Sequence, residues 1–214
     1  ESGYYVLVND QSKLIFDCGS LGPDYQPGHG HCDCLSYVWA FKGKRVIIDS
    51  GVDDYYGNSE WRDYFRSTAA HNTVTVNGFD QSEVWGNFRV ARRAHPLDAS
   101  LEAHNTFINV QGAHNGFYRL PERVKHNRSL ILDSRAIKVD DYLETNAAID
   151  VKNYVHLAPE FTVIQKDKNK LVLSSMDIEL EMTVKNIDSI QVIEGSKSPL
   201  QGWHEHEYGH RHSH

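Results

Sequence analysis

Cysteine is scarce in this chain, and the three present, Cys18, Cys32 and Cys34, do not make a disulfide framework. Cys32 and Cys34 stand too close in sequence for an ordinary bridge between strands, which excludes a small scaffold stapled by disulfides. Long apolar runs are also lacking: no stretch reaches the length of a membrane helix, and no secretory leader is recognisable. Positive charge is in deficit, with 22 Lys and Arg against 29 Asp and Glu and a formal net charge of −7. That balance argues against nucleic acid as a partner, and equally against a broad basic groove for a polyanion; an anionic ligand must be met by a local cluster of Arg and His. Finally, strand-length and helix-length apolar patterns do not alternate, so a doubly wound sheet is excluded.

What is present is a succession of short strand patterns in a chain of 214 residues, 40% hydrophobic and 24% charged, enough for one well-filled core. Period-two or continuous apolar runs predict strands at residues 4–8, 13–16, 35–41, 46–48, 72–76, 107–112, 129–132, 136–139, 151–156, 161–165, 171–174, 178–184 and 190–193. The run at 35–41 is apolar on both faces and is expected at the centre of a sheet. The fold class predicted is all-β, an antiparallel β-sandwich formed by residues 1–203 as a single domain. One short helix is expected near 59–67, capped by Ser59, with Trp61, Tyr64 and Phe65 on its apolar side. These aromatics read as a staple holding the loop to the sandwich, or as a sugar subsite. Residues 204–214 carry five histidines and read as a disordered tail, with metal binding as the other reading.

The unusual polar residues concentrate between Pro27 and Asn77. In an extended segment His29, His31 and Asp33 would share one face, with Gly30 and Cys32 on the other. Cys32 and Cys34 then read as inward packing more readily than as ligands. Asp49 ends the apolar run 46–48 just before Gly51, and His71 opens the strand 72–76. If these strand ends meet, His31, Asp49 and His71 give two nitrogens and one oxygen with an open fourth position, a donor set that suits Zn²⁺. Each member also has a plainer reading: Asp before Gly as a turn residue, and a single His as a hydrogen-bonded structural group. A cupin-type centre also begins with His-x-His but wants a glutamate a few residues on, where this chain has Leu35 and Ser36.

These residues carry a resemblance. Gly28-His29-Gly30-His31-Cys32-Asp33, Ile48-Asp49-Ser50-Gly51, the run from Tyr64 to Val74 and Asp80-Gln81-Ser82-Glu83 resemble the C-terminal region of heparinase II/III-like polysaccharide lyases. The likeness continues through Trp85-Gly86 with Arg89, His114-Asn115-Gly116-Phe117, His126-Asn127-Arg128 and Gly202-Trp203. It implies a β-sandwich that follows a large α/α-toroid and covers its cleft, so the chain is expected to be part of a longer protein whose toroid it lacks. It implies that His31, Asp49 and His71 hold a structural metal ion, Zn²⁺, and that His29 is lent to the catalytic cleft.

The activity implied is β-elimination on uronic-acid polysaccharides such as heparin, heparan sulfate or alginate. The full-length protein would be periplasmic or secreted, and the isolated fragment nearly inactive, its partners being the toroid and an acidic polysaccharide. Trp85, Arg89, His114 and Arg119 are the further candidates for substrate contact, since a mix of His, Asn, aromatic and Arg residues suits hydrogen bonding and stacking on sugars. Structural use of the 114–119 loop is the alternative. The competing function is a stand-alone carbohydrate-binding or interaction module that does no chemistry.

Overall fold

The computed structural model describes residues 2–52, 55, 59–207 and 210–213, the side chains of residues 59, 206 and 207 excepted. The first sheet holds β1 (Tyr4–Val8), β2 (Ser12–Asp17), β3 (Tyr37–Phe41) and β4 (Lys44–Ile47), hydrogen-bonded in that order and antiparallel. β2 shows why it forms: Ser12, Leu14 and Phe16 turn inward, while Lys13, Ile15 and Asp17 turn out or sit at the edge. β3 lies inside the sheet, as its two apolar faces require. The chain then leaves the β pattern for α1 (Ser59–Arg66), and returns in β5 (Val74–Val76) and a short hairpin, β6 (Val84–Trp85) with β7 (Arg89–Val90).

The second sheet is an antiparallel meander of β8 (Pro96–Ala103), β9 (Phe107–His114), β10 (Lys125–Asp133) and β11 (Ile137–Glu144). β12 (Val151–Asn153) pairs back onto β5. A third sheet follows, β13 (Thr162–Asp167), β14 (Lys170–Ser174) and β15 (Glu179–Thr183). Leu14 and Phe16 of the first sheet, Val110, Leu130 and Leu132 of the second, and Phe161, Leu171 and Leu173 around the third fill one apolar core between the layers. The all-β sandwich, with a single α-helix among the described residues, is therefore the observed architecture. Cys18 and Cys34 lie in that core and Cys32 is buried, all three unbridged.

Three expectations are corrected. Residues 27–36 are not an extended strand: Pro27–His29 is a turn of 3₁₀ helix and the chain runs as loop to Ser36. Proline at the first position and the Gly30 N–H to Pro27 carbonyl bond of 2.9 Å favour the tighter turn. Residues 190–193 form no strand, since Gln191 and Val192 are exposed and meet no neighbouring edge. Pro96–Ala103 is a further strand, outside the predicted ranges.

Residues 204–207 and 210–213, expected within a disordered tail, are strand. β16 (Ser196–Lys197) and β17 (Leu200–Gln201) form one hairpin, and β18 (Trp203–Glu207) and β19 (His210–Ser213) another. The Glu205 N–H donates to the Ser50 carbonyl at 2.9 Å, and Gly51 (φ +89°) accepts this close approach, because a Cβ there would stand 3.1 Å from the Glu205 oxygen. Trp203 packs edge-on to Trp61 at 5.2 Å, in a cluster with Tyr64, Phe65 and Ala70. The aromatics of α1 are thus the staple rather than a sugar platform. The capping role expected of Ser59 falls on a side chain outside the described residues.

Candidate metal centre and its exposed histidine

His71 leaves the 3₁₀ turn Thr68–Ala70 and is buried. Its Nδ1 lies 2.7 Å from Asp49 Oδ2, and Asp49 also accepts the Gly51 N–H at 2.9 Å. Its Nε2 is buried and makes no hydrogen bond among the described residues, although the Phe65 carbonyl is near enough to favour a protonated ring. His31 stands beside it with ring centroids 5.3 Å apart. One ligand atom from each of His31, Asp33 and His71 lies within 4.8 Å of the other two.

The structure therefore brings His31 and His71 together as expected, but the carboxylate grouped with both is Asp33, and Asp49 sits on His71. His31 and Asp33 meet across a loop, not along a strand. The carboxylate-to-imidazole pairing of Asp49 and His71 is also how ligating histidines are commonly oriented from behind.

The electrostatics favour a cation. Burial pushes the Asp33 carboxyl up to about 7, helped by Asp17 and Asp49 and opposed by His71. Asp17 is raised for the same first reason. Burial alone would lower His71, yet Asp49 and Asp33 outweigh it and lift the ring to about 9; burial would raise Asp49, yet His71 and the Gly51 N–H bring it down to about 2. His31 is pushed to about 3, mainly by burial and then by the charge on His71, so its lone pair is available at neutral pH.

Three carboxylates thus converge on two imidazoles, one with an orphaned buried nitrogen, and these donors fit a divalent ion of the zinc type. A cation bound through His31 Nε2 would displace a long contact from Arg62 Nη1 at 3.4 Å.

His29 is the different member of the group. It is exposed, lies edge-on to Tyr55 (4.9 Å) and Phe88 (5.5 Å), and lines a pocket of about 310 Å³ with Tyr4, Asp17, His31, Asp33 and Tyr55. Gly28 lets the β6–β7 hairpin approach this turn, since a Cβ at Gly28 would meet the Phe88 carbonyl at 2.9 Å. Arg66 binds the same pieces together: its guanidinium donates to the carbonyls of Gly30 (3.3 Å), Gly86 (2.8 Å) and Arg89 (3.3 Å).

The proposed substrate contacts divide. Trp85 and Arg89 oppose each other across the hairpin and are exposed, but they stand outside the pocket lining. His114 is buried against His126 and cannot reach a sugar. Arg119 is spent on backbone, donating to the carbonyls of Gln81 (3.1 Å), Gly116 (2.5 Å) and Asp80. The 114–119 loop is structural, since Arg119 ties it to the Asp80 and Gln81 carbonyls and closes on its own Gly116 carbonyl. Sequence reading missed Asp17, Tyr55, Arg62 and Arg66. Only the i, i+4 spacing of the two arginines on α1 carried a signal, of a shared helix face.

The family model for the heparinase II/III-like C-terminal domain matches residues 1–211. The chain belongs to this family. A heparin-sulfate lyase of Bacteroides stercoris is 28% identical over 131 residues, 53% of this chain and 19% of that protein. An exo-oligoalginate lyase of Saccharophagus degradans is 33% identical over 78 residues, 32% of this chain and 10% of that protein. Among solved structures, the heparan sulfate lyase HepC from Pedobacter heparinus superposes over 100% of this chain with a TM-score of 0.75 at 18% identity, covering 31% of its own length. A heparinase III structure superposes over 83% with a TM-score of 0.64 at 20% identity, covering 27% of its length. The chain thus spans about a third or less of these relatives, and at such identities the structures speak for the fold.

Proposed function

We propose that this chain is the β-sandwich part of a periplasmic or secreted lyase that cleaves uronate-containing polysaccharides by β-elimination, with its active site completed by a helical toroid. The observation that carries this reading is the contrast within one pocket. His29 is exposed while His31, which lines the same pocket, is packed against the buried His71 held by Asp49. An imidazole so placed is aimed at a ligand by a rigid base, as a catalytic group requires.

In the reaction the C5 proton of the uronate is removed, the C4–O bond breaks, and the leaving oxygen takes a proton, leaving a C4–C5 double bond. Removal of that proton requires the uronate carboxylate to be neutralised, a task left to the toroid, and His29 offers a hydrogen bond that holds the sugar for that step. His31 and His71 with Asp33 would hold Zn²⁺, and Asp49 would hold the second nitrogen of His71; the resemblance places Asp49 itself among the ligands. When bound, the ion supplies fixed geometry to the loop and offsets the clustered carboxylates.

The test joins this domain to a toroid and follows unsaturated uronate absorbance on heparan sulfate and alginate, with and without His29→Ala. A loss of at least about 100-fold is expected, in the range for a positioned proton-transfer or polarising group. Undiminished activity would return the domain to the role of a non-catalytic glycan-binding module. Elemental analysis should find about one zinc per chain. Loss of zinc in Asp33→Asn with retention in Asp49→Asn identifies Asp33 as the oxygen ligand, and the opposite result identifies Asp49.

A further inference from the structure

The His126-Asn127-Arg128 and His114-Asn115-Gly116 motifs remain without a role once the exposed pocket is described. β10 alternates so that His126, Arg128, Leu130 and Leu132 all face inward. Arg128 is 1% exposed and lies over the Tyr37 ring at 5.4 Å. Its Nε and Nη2 grip Asp141 at 2.7 and 2.9 Å. Its Nη1 donates to two backbone carbonyls from separate loops, Leu35 at 2.8 Å and Asn72. Leu35 lies two residues after Asp33 in a left-handed conformation (φ +63°), and Asn72 follows His71.

The grip is itself fixed. Asp141 also accepts from His126 Nε2 at 2.7 Å and Asn153 Nδ2 at 2.7 Å. His126 Nδ1 accepts from His114 Nε2 at 3.0 Å, and His114 Nδ1 accepts the Gly116 N–H at 3.1 Å. Because the backbone N–H can only donate, it sets the tautomer of both rings, and every step of the chain carries one proton.

A buried Arg–Asp pair stabilises a fold no better than apolar residues of the same volume. What it does that leucine cannot is hold two carbonyls of different loops at one spacing. We propose that Arg128 is a positioning residue for the His31–Asp33–His71 centre, acting through the carbonyls of Leu35 and Asn72. The inference rests on the metal-site reading above for its metal readout, and on geometry alone for its ring readout.

The test compares the full chain with Arg128→Lys, which keeps charge but loses the fork, and with Leu132→Ala, a core change on the same strand. Ring resonances of ¹⁵N-labelled histidine are recorded without metal, then Co²⁺ absorption and Zn²⁺ affinity. In Arg128→Lys the His31 and His71 rings should shift, the Co²⁺ bands change, and Zn²⁺ bind about 10- to 100-fold more weakly, the range for loss of a supporting group. Leu132→Ala should lower the melting temperature and leave all three unchanged.

If Arg128→Lys does not fold, Asn153→Ala, at an exposed partner of Asp141, should move the same ring resonances by a smaller amount. Unshifted rings in the variant that folds, or an equal shift in Leu132→Ala, overturn the proposal. A wild-type chain that binds neither Zn²⁺ nor Co²⁺ overturns the metal reading instead, and the ring resonances still decide the role of Arg128.

Discussion

His71 carries a buried ring nitrogen without a hydrogen bond among the described residues, and an unmet buried polar group costs about 1–3 kcal/mol. A bound cation removes that cost and adds its own binding free energy to the fold. With zinc present, His71→Ala should therefore lower the melting temperature by several degrees and His29→Ala should leave it unchanged, since His29 is exposed. A chelator should lower wild type toward His71→Ala and leave that variant where it is, as differential scanning fluorimetry would show.

Asn72, next in the chain, is a stricter case. Its side-chain nitrogen donates to Tyr37 (2.8 Å) and Ile48 (2.7 Å) carbonyls, and its oxygen accepts the His156 N–H at 2.6 Å. Asn72→Ala strands three buried backbone groups and should cost roughly 3 kcal/mol or more in urea melts. The pairing of His31 with His71 and the place of Asp49 were legible in the sequence, because strand ends with polar residues after apolar runs tend to gather. The burial of His114 and Arg119 was not, since loop composition records polarity and not what lies beneath it. His126 and Arg128 continue inward the alternation of Leu130 and Leu132, but the predicted strand began at 129 because charged residues hid its first half.

Ser12–Asp17 was legible almost whole as the strand at 13–16, Lys125–Asp133 only in its second half as 129–132, and α1 from its apolar face. The 27–36 loop was misread as extended because His-x-His-x-Asp fits period two as well as it fits a loop folding back on itself. The C-terminal hairpin was hidden by its histidines and glutamates, whose polarity resembles a tail. Its anchor is Trp203, whose Nε1 donates to the Ser196 carbonyl at 2.7 Å while the ring rests on Trp61. Trp203→Ala should cost up to about 3 kcal/mol, the low end for a buried aromatic because the ring is only partly buried. A chain shortened to residue 202 should lose a similar amount. Equal stability of the truncated and intact chains in urea would mean that the hairpin does not brace the Ser50–Gly51 turn.

Across the whole molecule the buried histidines set the response to acid. His156 donates through Nε2 to the Ala69 carbonyl at 3.0 Å, and its Nδ1 lies 3.2 Å from Ser50 Oγ. Burial first, and then the charge on His71, lower it to about 4 against the pull of Asp49 and the Ala69 carbonyl. The unfolded chain binds this proton near pH ~6.5, whereas the fold refuses it until about pH 4. Between those values the unfolded state holds more protons, so stability must fall as the solution is acidified. The full effect of this one ring is on the order of 3 kcal/mol.

His114 and His126, lowered chiefly by burial, act in the same direction. Asp33, raised to about 7, acts in the opposite direction over the same window because its folded form holds a proton that the unfolded chain releases. A variant isolates the histidine contribution from that of Asp33. His156→Gln keeps hydrogen-bonding capacity and cannot titrate, so its stability relative to wild type should rise steadily from pH ~6.5 down to pH ~4 and stay level above pH ~7. Denaturant melts at five pH values would read the trend; a difference that does not vary with pH would show that folding leaves the His156 pKa unshifted, and one that falls on acidification that the fold favours the protonated ring.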